Sequence, residues 1–132
     1  MSSDLKQVIL MRRDLKLRRA ALAALTAKAS AEFFIENDES ERDEVLSVPL
    51  SREEVEWINN GCTRIVLGVS SESALRALVF KAEMTGIPCY PIMGRAGEGD
   101  EKSDSGEEML CAALGPDDAA RIDEITGSLK LL

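Results

Sequence analysis

Arg64-Ile65-Val66-Leu67-Gly68-Val69, followed by Ser70-Ser71-Glu72-Ser73 and the run from Ala74 through Gly86, Pro88 and Cys89-Tyr90-Pro91-Ile92, is the stretch on which the fold turns. The apolar run at its start is strand-sized. Ser70 to Ser73 opens a helix whose Leu75, Leu78, Val79 and Ala82 share one face. Gly86 ends that helix, and Pro88 follows as it does just after a helix stop. Cys89 to Ile92 is a second short strand. Strand, helix and strand in this order predict a sheet covered by helices.

The same alternation continues in both directions. Upstream, Gln7-Val8-Ile9-Leu10-Met11 reads as a buried strand flanked by charge. Arg12 to Lys16 is the turn after it, and a long helix over Leu17 to Phe34 follows, rich in Ala and Leu. Its Leu22, Leu25, Ala29 and Phe33 fall three or four apart and form one apolar face. Glu36 to Glu44 holds six acids and one arginine and reads as a solvated loop. Val45 to Leu50 is expected to be extended. Ser51-Arg52-Glu53-Glu54 is a capping box for a short helix that runs to about Asn59 and ends at Gly61. The sole tryptophan, Trp57, lies on that helix and is expected in the core. Downstream, Met93 to Glu108 is a polar loop, Met109 to Leu114 a fourth strand, and Gly115-Pro116-Asp117 the start of a last helix that stops at Gly127. Leu129 to Leu132 is an apolar tail, expected to dock on or pair with the sheet. The expected fold is one α/β domain over residues 1–132, a four-stranded mixed sheet with helices on both faces. The third and fourth strands lack an intervening helix and are free to run antiparallel.

Composition narrows the chemistry. The 132 residues contain no histidine, which removes Ser-His and Cys-His catalysis and imidazole metal sites. Cys62, Cys89 and Cys111 form neither a C-x-x-C pair nor a disulfide framework. Gly94 to Gly99 is glycine-rich but does not join a strand to a helix, so it is not read as a phosphate cradle. Asp100, Glu101 and Asp104 lack EF-hand spacing. No cofactor and no metal are expected. No run is long and apolar enough for a membrane span, and the polar start of the chain points to the cytoplasm.

The net charge of −8 is unevenly spread: residues 1–30 carry +5 and the rest −13. The basic residues cluster in Arg12-Arg13-Asp14-Leu15-Lys16-Leu17-Arg18-Arg19, where the first strand ends and the first helix begins. Ligands of α/β folds bind at strand C-terminal ends, and helix N-termini favour anions. Arg12, Arg13, Lys16, Arg18 and Arg19 are therefore candidates for an anion site such as a phosphate backbone. Solvated surface charge is the competing reading.

Several segments together resemble the archaeal and eukaryotic-type peptidyl-tRNA hydrolases, the small second class. Arg12-Arg13-Asp14-Leu15-Lys16-Leu17 is similar to that family's R-x-D-L-K-M. Trp57-x-x-x-Gly61, Arg64 to Val69 and Ser71-Glu72 resemble its W-x-x-x-G, the strand after it and its Ser-Glu helix start. Thr85-Gly86-Ile87-Pro88 is like its A-G-L-P. Leu114-Gly115-Pro116 and Ile122-Asp123-Glu124-Ile125-Thr126-Gly127-Ser128-Leu129-Lys130-Leu131-Leu132 resemble its G-P and its I-D-x-V-T-G-x-L-K-L ending. The resemblance implies the family's fold, tRNA as a partner and, by analogy, a homodimer.

The departures fall where the resemblance places the family's chemistry. Ala20 and Ala21 stand for its Gly-Lys pair, Leu25 for a glutamine and Lys28 for a histidine. Met93-Gly94-Arg95-Ala96-Gly97-Glu98 stands for D-A-G-R-T, and Glu108 and Leu110 for two threonines. Hydrolysing the ester needs an activated water and a stabilised oxyanion, and loss of one such group costs about 10²–10⁴-fold in rate. Ala21 supplies neither. Glu98, Glu107 and Glu108 would repel tRNA phosphates. Three readings follow. One is a divergent member with weak or no hydrolysis that binds RNA or another anion at Arg12 to Arg19. The second is an active hydrolase whose catalytic groups are relocated to Lys16, Lys28 and Arg95. The third is an interaction module whose acidic segments 36–44 and 98–108 meet a basic protein.

Overall fold

The computed structural model describes residues 4–95 and 106–132. Eight elements follow in order: β1 (Leu5–Arg12), α1 (Arg19–Glu36), α2 (Arg52–Asn59), β2 (Arg64–Val69), α3 (Glu72–Thr85), β3 (Cys89–Gly94), β4 (Glu108–Asp118) and α4 (Ala119–Thr126). The sheet order is β2-β1-β4-β3. β1 and β2 are parallel, and β4 runs antiparallel to both β1 and β3. The mixed four-stranded sheet expected from the sequence is therefore the observed one.

β1 is the hydrophobic axis. Val8 to Met11 are fully buried, and their side chains alternate between two cores, as the two-residue period of a strand demands. Val8 and Leu10 join Leu75, Val79 and Ala82 of α3 and Ile122 and Ile125 of α4 on one face. Ile9 and Met11 join Ala29 and Phe33 of α1, with Tyr90 and Ile92, on the other. Gln7 is the polar exception at zero exposure. Its amide donates to the Ser30 carbonyl at 3.3 Å and accepts from the Ser30 hydroxyl at 2.8 Å, so its burial leaves nothing unpaired. The Arg64 guanidinium donates to the same hydroxyl and lies 5.0 Å from the Trp57 ring centre. Arg64 of β2 thus touches both α1 and α2, and Trp57 is buried where α2 packs on the sheet.

Local signals explain most element boundaries. Both halves of the capping box at Ser51 and Glu54 are present. Ser71 caps α3 through the Ala74 amide, and Gly86 ends it in the left-handed region. One expectation is corrected. Gly115-Pro116-Asp117 does not begin the last helix: β4 continues through it to Asp118, which caps α4 instead. Gly115 makes this turn of the strand feasible. Its φ is +90°, and a Cβ there would meet the Lys6 carbonyl and the Asp117 amide, so β4 passes β1 with a register shift rather than breaking off. Val45 to Leu50 pairs with no strand and follows a loop held by Asp38, whose carboxylate accepts from the Ser40 and Ser47 amides.

The tail docks as expected. Leu131 bridges Leu67 antiparallel, the Gly68 amide donates to the Lys130 carbonyl at 2.9 Å, and the Leu132 amide donates to the Val66 carbonyl at 3.1 Å.

Candidate anion-binding site

The C-terminal ends of β1, β2 and β3 and the start of β4 share one end of the sheet. Arg12 is the last residue of β1, and its side chain is only 7% exposed. Nε and Nη2 donate to the two Asp14 carboxylate oxygens at 3.0 and 2.6 Å. Nη1 donates to the Glu108 carboxylate and, at 3.1 Å, to the Met109 carbonyl. The Asp14 hydrogen bond is the largest cause that raises the Arg12 pKa, against the opposing effect of burial, so the guanidinium stays charged. The same bond holds Asp14 below the usual carboxylate range. Nearby, Glu72 accepts from the Met109 amide at 2.8 Å and pairs with Arg76 at 3.0 Å. The Met109 bond, then the Arg76 bond, lowers its pKa. This group is an internally satisfied network in which three acids meet two arginines.

Arg13 is engaged differently. Its amide donates to the Val69 carbonyl at 2.8 Å, and its guanidinium donates to the Leu131 carbonyl. The side chain crosses Gly68 so closely that a Cβ there would run into it. Arg13 thus pins the tail over the edge of β2.

Lys16, Arg18 and Arg19 complete the set. All three are exposed, and none makes an ion pair among the described residues. Arg18 is the N-cap of α1 and supplies no side-chain cap; the first turn carries no acid. The amides of Arg19, Ala20 and Ala21 precede the first helical bond, from the Leu22 amide to the Arg18 carbonyl, and point outward as a helix start does. Lys16 has φ +53°, a left-handed conformation that costs a non-glycine residue about 1–2 kcal/mol. Strain of this kind concentrates where position matters more than stability. Arg12, Arg13, Lys16, Leu17, Leu22 and Leu132 line an open depression of about 350 Å³ beside this helix start.

The remaining candidates separate. Lys28 is exposed on α1, nine residues past Arg19 and so about 14 Å along the axis, outside that depression. Arg95 is exposed directly after β3, at the same sheet end as Glu108. Leu25 packs into the α1 core, and Leu110 packs against Gly94. Ala20 is exposed and Ala21 half-buried in the first turn of α1. Ala96, Gly97, Glu98, Gly99, Asp100, Glu101 and Asp104 lie outside the described residues, as does most of the acidic segment 98–108. Among the described residues no group of three or more acidic or thiol side chains could hold a metal, and no helix is long and apolar enough to cross a membrane. Burial pushes the Cys89 and Cys111 thiols up to about 12. Sequence reasoning did not find the partners of Arg12. Asp14 was visible two residues away, but Glu108 lies 96 positions along the chain and only strand pairing brings it near.

Comparisons with known proteins agree with this architecture. The sequence model of the family described as Peptidyl-tRNA hydrolase PTH2 matches residues 5–132. A peptidyl-tRNA hydrolase of Haloquadratum walsbyi is 34% identical over 127 residues, which cover 96% of this chain and 99% of that protein. Another, of Methanopyrus kandleri, is 33% identical over 127 residues, covering 96% and 97%. A solved structure of a protein of unknown function from Agrobacterium strain C58 superposes with a TM-score of 0.60 at 20% identity, covering 99% of each chain, which speaks to the fold alone.

Proposed function

Because this chain belongs to the peptidyl-tRNA hydrolase PTH2 family, we propose that it binds tRNA, or a similarly phosphorylated anion, at Lys16, Arg18 and Arg19 and hydrolyses the ester weakly or not at all. One observation carries this reading. The start of α1 offers outward amides and cations but, at Ala20 and Ala21, no side chain able to move a proton or polarise water. Amides at a helix start and flanking guanidinium groups suit a phosphate. Ester hydrolysis also needs a general base or a preorganised oxyanion donor set. The carboxylates of Asp14 and Glu108, at the same end of the sheet, are committed to Arg12. In this reading Arg12 and Arg13 shape the site from behind, and the cations in front contact the ligand. The setting is the cytoplasm, and a homodimer follows only from the family resemblance.

Affinity should depend on salt as phosphate contacts do. Three contacts on a single-stranded acceptor end give a slope of about −2 in log K against log salt. Replacing Arg18 or Arg19 by alanine should lower that slope by about 0.7. No tRNA binding at low salt would remove the reading.

Whole-length identity to named hydrolases favours a second reading, an active enzyme, for which Lys16, Lys28 and Arg95 are our candidate groups. Turnover of peptidyl-tRNA that disappears in Lys16→Ala and Lys28→Ala would establish that reading over the first.

A further inference from the structure

The Arg13 side chain stands between two parts of the molecule. Its guanidinium donates to the Leu131 carbonyl of the docked tail, and with Lys16 and Leu132 it lines the basic depression at the start of α1. Among the described residues it makes no ion pair, whereas Arg12 beside it meets two carboxylates. A guanidinium bonded to a neutral carbonyl keeps its charge uncompensated, and a bond from one nitrogen leaves its other N–H groups for an anion. Gly68 sets the path of this arm. A Cβ at residue 68 would overlap Nε, Cζ and Nη2 of Arg13, so glycine is what lets the arm cross β2 to the tail. The Gly68 amide also donates to the Lys130 carbonyl at 2.9 Å, so residue 68 holds the tail once directly and once through Arg13. The tail is otherwise lightly held. Leu131 is 70% exposed and Leu132 44%, and beyond the Arg13 bond the Gly68 and Leu132 amides supply its hydrogen bonds to β2. A segment with so few buried contacts opens locally at low cost, so a modest interaction can bias it.

We propose that docking of the tail and binding of an anion are coupled through Arg13, each favouring the other. This rests on the anion-binding reading above and concerns how that site is assembled. The docked tail fixes the guanidinium through Leu131 and places Leu132 as a wall of the depression. A positive charge held there adds to those of Lys16, Arg18 and Arg19. An anion in the depression attracts the held guanidinium, and the guanidinium in turn keeps its bond to Leu131. Arg13 is thus a positioning residue, and the element with two states is the tail, docked or released. Such coupling is reciprocal: the factor by which docking raises anion affinity is the factor by which the anion favours docking.

Hydrogen exchange of the Gly68 and Leu132 amides, followed by NMR on the whole protein with and without deacylated tRNA at low salt, tests this. Bound tRNA should slow both amides about fivefold, the lower end of the range for coupled sites. Gly68→Ala displaces the guanidinium without removing a charge. It should speed exchange at Leu132 and weaken tRNA binding, again about fivefold. In an Arg13→Ala background the same substitution should leave tRNA binding unchanged, because the three atoms nearest the new methyl group all belong to Arg13. An equal loss in both backgrounds would mean that Gly68 acts through β2 and would overturn the inference. Binding of tRNA to the parent with unchanged exchange would overturn it and leave the anion reading intact. Faster exchange on binding would show that the anion draws Arg13 off the tail, and would overturn it equally. No tRNA binding at low salt would remove both readings.

Discussion

The Arg12 guanidinium and the Glu108 carboxylate meet across the β1–β4 pair, at the point where the central strand hands the chain to α1. Glu108 competes there with any external anion for one edge of Arg12. Glu108→Ala should therefore tighten tRNA binding several-fold at low salt, since one negative charge leaves and one Arg12 edge opens. The cost in stability should be about 1–2 kcal/mol, because Asp14 still holds the guanidinium. Arg12→Ala should cost more, about 2–3 kcal/mol, because it removes the charged hydrogen bonds to Asp14 and Glu108 together, although both carboxylates can still reach water. Urea midpoints and binding at fixed salt read both effects.

Lys16 should show stability and binding in opposition. Glycine adopts φ +53° without steric penalty, so Lys16→Gly should leave stability unchanged or raise it by up to about 1 kcal/mol. The same change should weaken tRNA binding and flatten its salt dependence. Weaker binding with a lower midpoint would instead mark Lys16 as structural.

Acid should destabilise the fold in a defined window. Asp14 and Glu72 both titrate below their ordinary values in the folded chain. As pH falls, the unfolded chain takes up these protons first, so stability declines with falling pH. Their contribution is complete above about pH 5 and is lost below about pH 4, as pH passes the unfolded and then the folded values. Asp14→Asn and Glu72→Gln should each flatten the acid limb of urea midpoints measured against pH. An unchanged limb in both variants would mean that these hydrogen bonds do not persist in solution.

The three cysteines should react in order. Cys111 is fully buried and Cys89, like Cys62, half-buried, but burial raises the Cys89 and Cys111 thiols to about 12, so both are protonated at neutral pH. Cys62, half-exposed after α2, should be the first alkylated by iodoacetamide near pH 8. Cys89 should follow slowly because its thiol is raised, and Cys111 only on unfolding. Peptide mapping after a timed pulse distinguishes them.

Much of the fold could be read from the sequence because local physics decides it. The capping box at Ser51, the glycine stop at Gly86 and the apolar run of β1 each act within a few residues. The end of β4 was misread for the converse reason. A Gly-Pro-Asp run looks like a helix start, yet pairing of Leu5 with Asp118 and Lys6 with Asp117 keeps it in the sheet. The site divides in the same way. Exposed cations around the start of α1 follow from the sequence order of Lys16, Arg18 and Arg19. That Arg12 is satisfied by Glu108, and Arg13 by the tail, depends on contacts across the whole chain.

The docking of the tail on β2 has a consequence for self-assembly. A sheet offers its outer backbone rows as templates on which other chains can polymerise. Here one outer row is taken up by Lys130 and Leu132, which bond to Gly68 and Val66. The other outer strand, β3, carries Pro91, which has no amide hydrogen to offer. Ladder-by-ladder growth into fibrils is obstructed at both margins, so association of this protein must proceed through side-chain surfaces instead.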